Sequence, residues 1–198
     1  MVRMTEGENK TWDILGMGAV AVDELIYVDG YPAADSKVRI QSRRRSGGGL
    51  TATALVAAAR LGATVSYFGV LGEDELSRFV ITELNRENVD CTAILRWEGA
   101  TPRYALIIVD RSSGRRCVLS SPENFTEPPP EQISTALISR CRFLFLDHTV
   151  INSGLQAIRV AHALGIAVIA DFEKVRHHPA AINLLQQVDH LIIPLRLA

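Results

Sequence analysis

Short apolar runs rich in valine, isoleucine and leucine alternate with helix-period segments along this chain, and that alternation admits few folds. WDILGMGAV (Trp12 to Val20), TVSYFGVLG (Thr64 to Gly72), RFLFLDH (Arg142 to His148), IAVIADF (Ile166 to Phe172) and HLIIP (His190 to Pro194) read as buried strands. The segments between them read as helices. Residues 51 to 61 are alanine-rich and end at Gly62, a C-terminal cap. EDELSRFVITELNREN sets Leu76, Phe79, Val80 and Leu84 on one face, with Asp74 as its N-cap. The stretch from Ser153 to Leu164 places Leu155, Ile158 and His162 on one side and stops at Gly165, and AINLLQQV is a shorter helix. Strand–helix alternation of this kind predicts a parallel sheet covered by helices on both faces, with right-handed crossovers.

Two segments break the rhythm. KVRIQSRRRS (Lys37 to Ser46) begins with polar–apolar alternation, and RYALIIVDRSSGRRCVLSS (Arg103 to Ser121) reads as a hairpin around Ser112-Ser113-Gly114. They form either a small second sheet standing off the main one or an extension of its edge; pattern alone leaves both open. EPPPEQ (Glu127 to Gln132) is a rigid loop with Pro130 at a helix start.

Charge and cysteine usage narrow the function classes. A net charge of −1 supplies no overall positive field for nucleic acid or an anionic membrane. Cys91, Cys117 and Cys141 are an odd number without CxxC spacing, which argues against a disulfide framework or a zinc site and fits a reduced, cytoplasmic setting. MVRMTEGENK lacks the apolar core of a signal peptide, and no apolar run is long enough to span a bilayer. His177 and His178 are adjacent, so their side chains point apart and make no metal pair. Trp12 and Trp97 are isolated and form no base-stacking platform.

Two glycine motifs compete for attention. GMGAVA (Gly16 to Ala21) follows a strand as a dinucleotide fingerprint does, but VDELIYVDGYP leaves no room for the helix that must follow, so a nicotinamide or flavin site is disfavoured. SGGGLTATALVAAARLGA (Ser46 to Ala63) opens a helix without the lysine of a P-loop. Its glycines permit close approach of a ligand to the backbone, and Thr51 and Thr53 offer hydroxyls on the first helical turn. Such a surface suits a neutral polyol; it equally suits a glycine turn that lets an alanine-rich helix pack tightly on a sheet.

The order of these motifs resembles the ribokinase-like, or PfkB, family of carbohydrate kinases. DILGMGAVAVDELIYVDGYP is similar to the family's first strand, aspartate and closing proline; SGGGLTATALVAAARLGATVSYFGVLGED is similar to its double glycine, its helix ending in RLGA and its GxxGxD turn. GGGLTATA is nearest to members resembling sulfofructose kinases. The resemblance implies an α/β fold, a Rossmann-like parallel sheet flanked by helices with a small β-sheet lid. It implies residues 1–198 as an incomplete ribokinase-like domain, with lid strands from about 24–46 and 92–121. It also implies a homodimer clasped through the lids, a sugar as substrate, and ATP with magnesium as phosphoryl donor.

By the same resemblance, Asp23 matches the aspartate that binds sugar hydroxyls, and Gly48 and Gly49 the double glycine over which the sugar lies. Thr53 stands where many members have asparagine. Ala105 and Ile107 match lid positions covering the sugar, and Asp147 a strand-end substrate contact. Asp171 resembles the aspartate of a phosphate-proximal DPNxR-like segment; here the sequence reads DFEKVR, with Lys174 or Arg176 near the phosphates. The family's GAGD-type anion hole and catalytic base have no counterpart in the sequence, so the catalytic residue is unassigned and the chain alone is expected to be inactive. A non-catalytic sugar-binding or dimerisation module is the alternative. Arg43, Arg44 and Arg45 read as a solvated strand edge; the sharper reading is recognition of an anionic sugar, with Arg103 joining them.

Overall fold

The computed structural model describes residues 10–121, 124–174 and 179–195. Arg176, His177 and His178 lie outside the described residues. The elements of the first half are β1 (Trp12–Met17), β2 (Ala21–Val28), β3 (Ser42–Gly48), α1 (Leu50–Arg60), β4 (Val65–Phe68), β5 (Val70–Leu71), α2 (Glu75–Arg86), β6 (Val89–Asp90) and β7 (Leu95–Arg96). Then come β8 (Arg103–Asp110), β9 (Arg116–Ser121), α3 (Thr135–Ile138), β10 (Cys141–Asp147), α4 (Asn152–Ala163), β11 (Ala167–Asp171), α5 (Pro179–Leu185) and β12 (His190–Ile192).

Six of these strands form a sheet in the order β12-β11-β10-β1-β4-β6, and every pairing in it is parallel. Both faces are covered. Leu15, Met17, Leu144 and Leu146 pack with Ala157 and Ile158 of α4, while Val65 and Tyr67 pack with Leu55 of α1 and Val80 and Leu84 of α2. Apolar side chains on both sides of the inner strands explain why they read as continuous apolar runs, whereas β12 at the sheet edge is exposed.

The helix ends follow local chemistry. The Asp74 carboxylate accepts from the Ser77 N–H and caps α2. Beyond α1, the Ala63 N–H reaches the Ala58 carbonyl and the Gly62 N–H that of Ala59, the paired bonds of a Schellman stop. Gly165 and Ile166 repeat the arrangement after α4. His162, expected beside Leu155 and Ile158, is instead exposed and bonds Asp189 at 3.2 Å.

The off-rhythm segments form a separate four-stranded sheet, β3-β2-β8-β9, which resolves the open choice in favour of a lid. Strand β2 runs antiparallel to β3 and parallel to β8, and β8 and β9 form the expected hairpin. The lid starts at Ala21, because GMGAVA leads directly into a strand rather than a helix. Its first return strand begins at Ser42, not Lys37, and its second half begins at Arg103. The intervening β7 pairs with β5 in a small sheet of its own, where the Thr64–Gly72 run breaks at Gly69. The buried Asp110 carboxylate closes the hairpin turn, accepting from Ser112 N–H and Oγ, Ser113 Oγ and the Gly30 N–H. Those bonds hold its carboxyl far below the usual carboxylate range.

Candidate functional site

Partners paired in register across a sheet present their side chains on the same face. Asp23 is paired with Ser46 on one side and Ala105 on the other; Ala21 is paired with Gly48 and Arg103, and Leu25 with Arg44 and Ile107. One face of the lid therefore carries Asp23, Gly48, Ala105 and Ile107 together. The Asp23 carboxylate lies directly over the Gly48 Cα: a methyl group there would stand 2.2 Å from Asp23 Oδ2. Ala105 and Ile107 are buried and apolar, flanking a half-buried carboxylate. Burial alone raises the Asp23 pKa above its ordinary value, and no donor among the described residues offsets it. An acceptor in that state is suited to two hydroxyls of a vicinal diol.

Gly49 is the N-cap of α1, at φ 94°, a left-handed conformation that disfavours other residues. It carries no capping side chain, yet first-turn N–H groups find acceptors outside the helix, the Ala52 N–H at the Ala19 carbonyl. Asp147, at the end of β10, supplies the missing acceptor: its Oδ2 accepts from Thr51 Oγ at 2.7 Å, Thr51 N–H at 3.3 Å and Ala19 N–H at 2.6 Å. Its Oδ1 accepts from the N–H and Oγ of Thr149. Asp147 is completely buried and engaged by protein donors; it caps α1 from another strand. Thr51 likewise turns its hydroxyl inward, to Asp147 and the Met17 carbonyl, and offers none to a ligand. Thr53 is exposed beside Gly48, in a groove of ≈ 730 Å³ between β3, α1 and α2 that Asp23 does not line.

Asp171 ends β11 in register with Asp147, at the carboxyl edge of the parallel sheet, where ligands of open α/β folds bind. Burial raises its pKa, Glu173 and Asp147 add to the rise, and His148 opposes it. Lys174 is exposed just beyond. The His148 ring lies tilted against Phe172, centroids 6.2 Å apart. Among the described residues no three histidine, cysteine or acidic side chains converge to hold a metal ion, and no helix is long and apolar enough to cross a membrane.

The arginine run divides by strand parity. Arg45 lies on the lid face opposite Asp23, where it pairs with Glu24 and Glu75 and stacks over Phe79 at 5.5 Å. Arg43 shares that face, and Arg44 falls on the Asp23 face with Arg103. Sequence reasoning missed the Asp147 cap because donor and acceptor are 96 residues apart.

A sequence model of the pfkB family of carbohydrate kinases matches residues 17–192. Among similar proteins, an ATP-dependent ribose-1-phosphate kinase of Halopiger xanaduensis is 27% identical over 158 residues, covering 80% of this chain and 53% of the relative. A ribokinase of Haemophilus influenzae is 28% identical, covering 77% of this chain and 51% of its own. The chain thus spans about half the length of these curated relatives. The structure of Arabidopsis thaliana ribokinase complexed with ribose and ATP superposes with a TM-score of 0.76 at 17% identity, covering 92% of this chain and 60% of that one. At that identity the superposition speaks to the fold.

Proposed function

Because this chain belongs to the pfkB family of carbohydrate kinases, we propose that it supplies the polyol-binding part of an enzyme that transfers the γ-phosphoryl group of ATP to a sugar hydroxyl. The observation that carries this reading is the meeting of Asp23, Gly48, Ala105 and Ile107 on one lid face. The carboxylate accepts hydrogen bonds from two sugar hydroxyls and fixes the ring's orientation. Gly48 lets the ring approach the backbone, and the apolar pair excludes water from the far side. The Gly49 backbone borders the sugar at the α1 N-terminus, and Thr53 faces the neighbouring groove. Positioning of this kind is the larger part of what phosphoryl transfer requires of a protein.

Asp171 and Lys174, at the sheet's carboxyl edge, are the proposed phosphate-proximal groups. Magnesium in such reactions is held largely by substrate phosphates and water, and would enter with the nucleotide. The anion hole and the base that takes the acceptor proton are unassigned in this chain. Half-exposed Val118 and Leu119 on edge strand β9 support homodimerisation through the lid. The setting is the cytoplasm, where ATP is available.

A phosphorylation screen of the full-length protein with ATP, magnesium and a panel of sugars tests the reading; turnover of none of them would refute it. Asp23→Asn is expected to weaken sugar binding by roughly 10- to 100-fold, the worth of one or two charge-assisted hydrogen bonds, with an unchanged circular dichroism spectrum. Binding should also weaken at acid pH. The burial-raised pKa means that the acceptor form is lost as pH falls through a value above the ordinary aspartate value of about 3.9. Calorimetric titrations between about pH 4 and 7 would show it, and a pH-independent affinity would exclude an ionised Asp23 from the site.

A further inference from the structure

Strands β10 and β11 end side by side, and their register sets Asp147 against Asp171. Like charges on adjacent strands repel. The two carboxylates are relieved differently. Asp147 is surrounded by donors from Ala19, Thr51 and Thr149. No described residue donates a hydrogen bond to the Asp171 carboxylate; burial raises its pKa, Glu173 and Asp147 raise it further, and His148 acts in the opposite direction. His148 follows Asp147 in the chain as Phe172 follows Asp171, and the two rings pack tilted with centroids 6.2 Å apart. Phe172 is completely buried, His148 is half-buried, and the His148 Nδ1 is enclosed. Packing on Phe172 requires no proton on the imidazole; the position beside Asp171 gives a proton something to do. The sheet's carboxyl edge is acidic here, with Asp147, Asp171 and Glu173 set against the exposed Lys174. A triphosphate arriving at this edge would add negative charge to negative charge.

Resting on the kinase reading above, we propose that His148 is a positioning residue for the nucleotide: its imidazole takes up a proton as the triphosphate settles beside Asp171 and Lys174, and the imidazolium offsets the carboxylates there. The proton comes from solvent and returns to it when the nucleotide leaves, and no bond of the nucleotide changes. The groups bearing on this proton are Asp147 on its own strand and Asp171, Glu173 and Lys174 on and after β11. Glu127, at the start of α4, is engaged by Asn152 and Ser153. A group whose pKa rises on binding favours the complex most below its free value and loses that contribution as pH climbs through the bound value.

The test is calorimetric titration of the full-length protein with magnesium and adenylyl imidodiphosphate, an ATP analogue that cannot transfer its terminal group, in buffers of differing ionisation enthalpy. Uptake of roughly half a proton per nucleotide is expected at about pH 6.5, where an ordinary histidine is half protonated. Affinity should fall roughly five- to tenfold between about pH 6 and about pH 8. His148→Gln should show only the nucleotide's own protonation and lose the difference across that range. Its sugar affinity should stay within about twofold of the wild type, because Asp23 lies on the lid. His148→Lys, charged throughout, should hold the nucleotide tightly even at about pH 8 and take up no proton. The wild-type proton count requires no substitution, so it decides the matter even where a variant fails to fold. Binding without proton uptake, or uptake that survives in His148→Gln, overturns the inference and leaves the kinase reading standing. Failure of the nucleotide to bind overturns both.

Discussion

Replacing Asp147 with alanine is expected to lower folding stability by about 4 kcal/mol, because it strips a completely buried carboxylate from several donors at once. The donors left behind are the backbone N–H groups of Ala19, Thr51 and Thr149 and the hydroxyls of Thr51 and Thr149. Each donor left without its acceptor carries its desolvation cost. The α1 N-terminus also loses the negative charge that balances its dipole. Asp147→Asn should be only partly milder: every partner is a donor, and the new amide offers one acceptor in place of two. Thr51→Val removes a single hydroxyl and should cost about 1–2 kcal/mol. Urea unfolding with an unchanged m-value would measure all three. A loss below about 1 kcal/mol for Asp147→Ala would show that α1 finds its cap elsewhere.

Gly48→Ala is expected to have the opposite profile: about 100-fold weaker sugar binding with little change in melting temperature. The added methyl would stand 2.2 Å from Asp23 Oδ2 and 2.7 Å from its Cγ, so the carboxylate must swing away. That movement is inexpensive for folding, because the obstacle is the end of a rotatable side chain and not backbone. For the sugar it is severe, because the displaced group is the proposed hydroxyl acceptor. Gly49→Ala makes an instructive contrast. There the clash is with the Ala19 carbonyl oxygen at 2.4 Å, and φ is 94°, so stability should fall as well. Unaltered sugar affinity in Gly48→Ala would sever the link between this glycine, Asp23 and the ligand.

Part of the proposed site's geometry follows from residues named before any coordinates. Asp23, Gly48, Ala105 and Ile107 were each named from motif resemblance, and the lid register brings them to one face. Parity within a strand is readable from sequence; which parity faces the site is not. Arg43, Arg44 and Arg45 were read together, yet the face shared by Arg43 and Arg45 turns toward α2, where Glu75 and Phe79 occupy Arg45. Asp147 was read correctly as a strand end, but its engagement by Ala19, Thr51 and Thr149 was not legible, since nothing near it in the chain shows that a capless helix begins beside it.

The alternation of apolar runs and helical segments, the N-cap at Asp74 and the glycine stops after α1 and α4 were determined by sequence alone. Each depends on side-chain periodicity or on bonds spanning a few residues. The tertiary structure alone decided that the odd segments stand apart as a lid, that Arg44 rather than Arg45 shares the Asp23 face, and that Asp147 serves α1 rather than a ligand. Those outcomes rest on pairing register and on contacts between distant segments. A shift of one residue in register exchanges the two faces of a strand while leaving its local pattern intact.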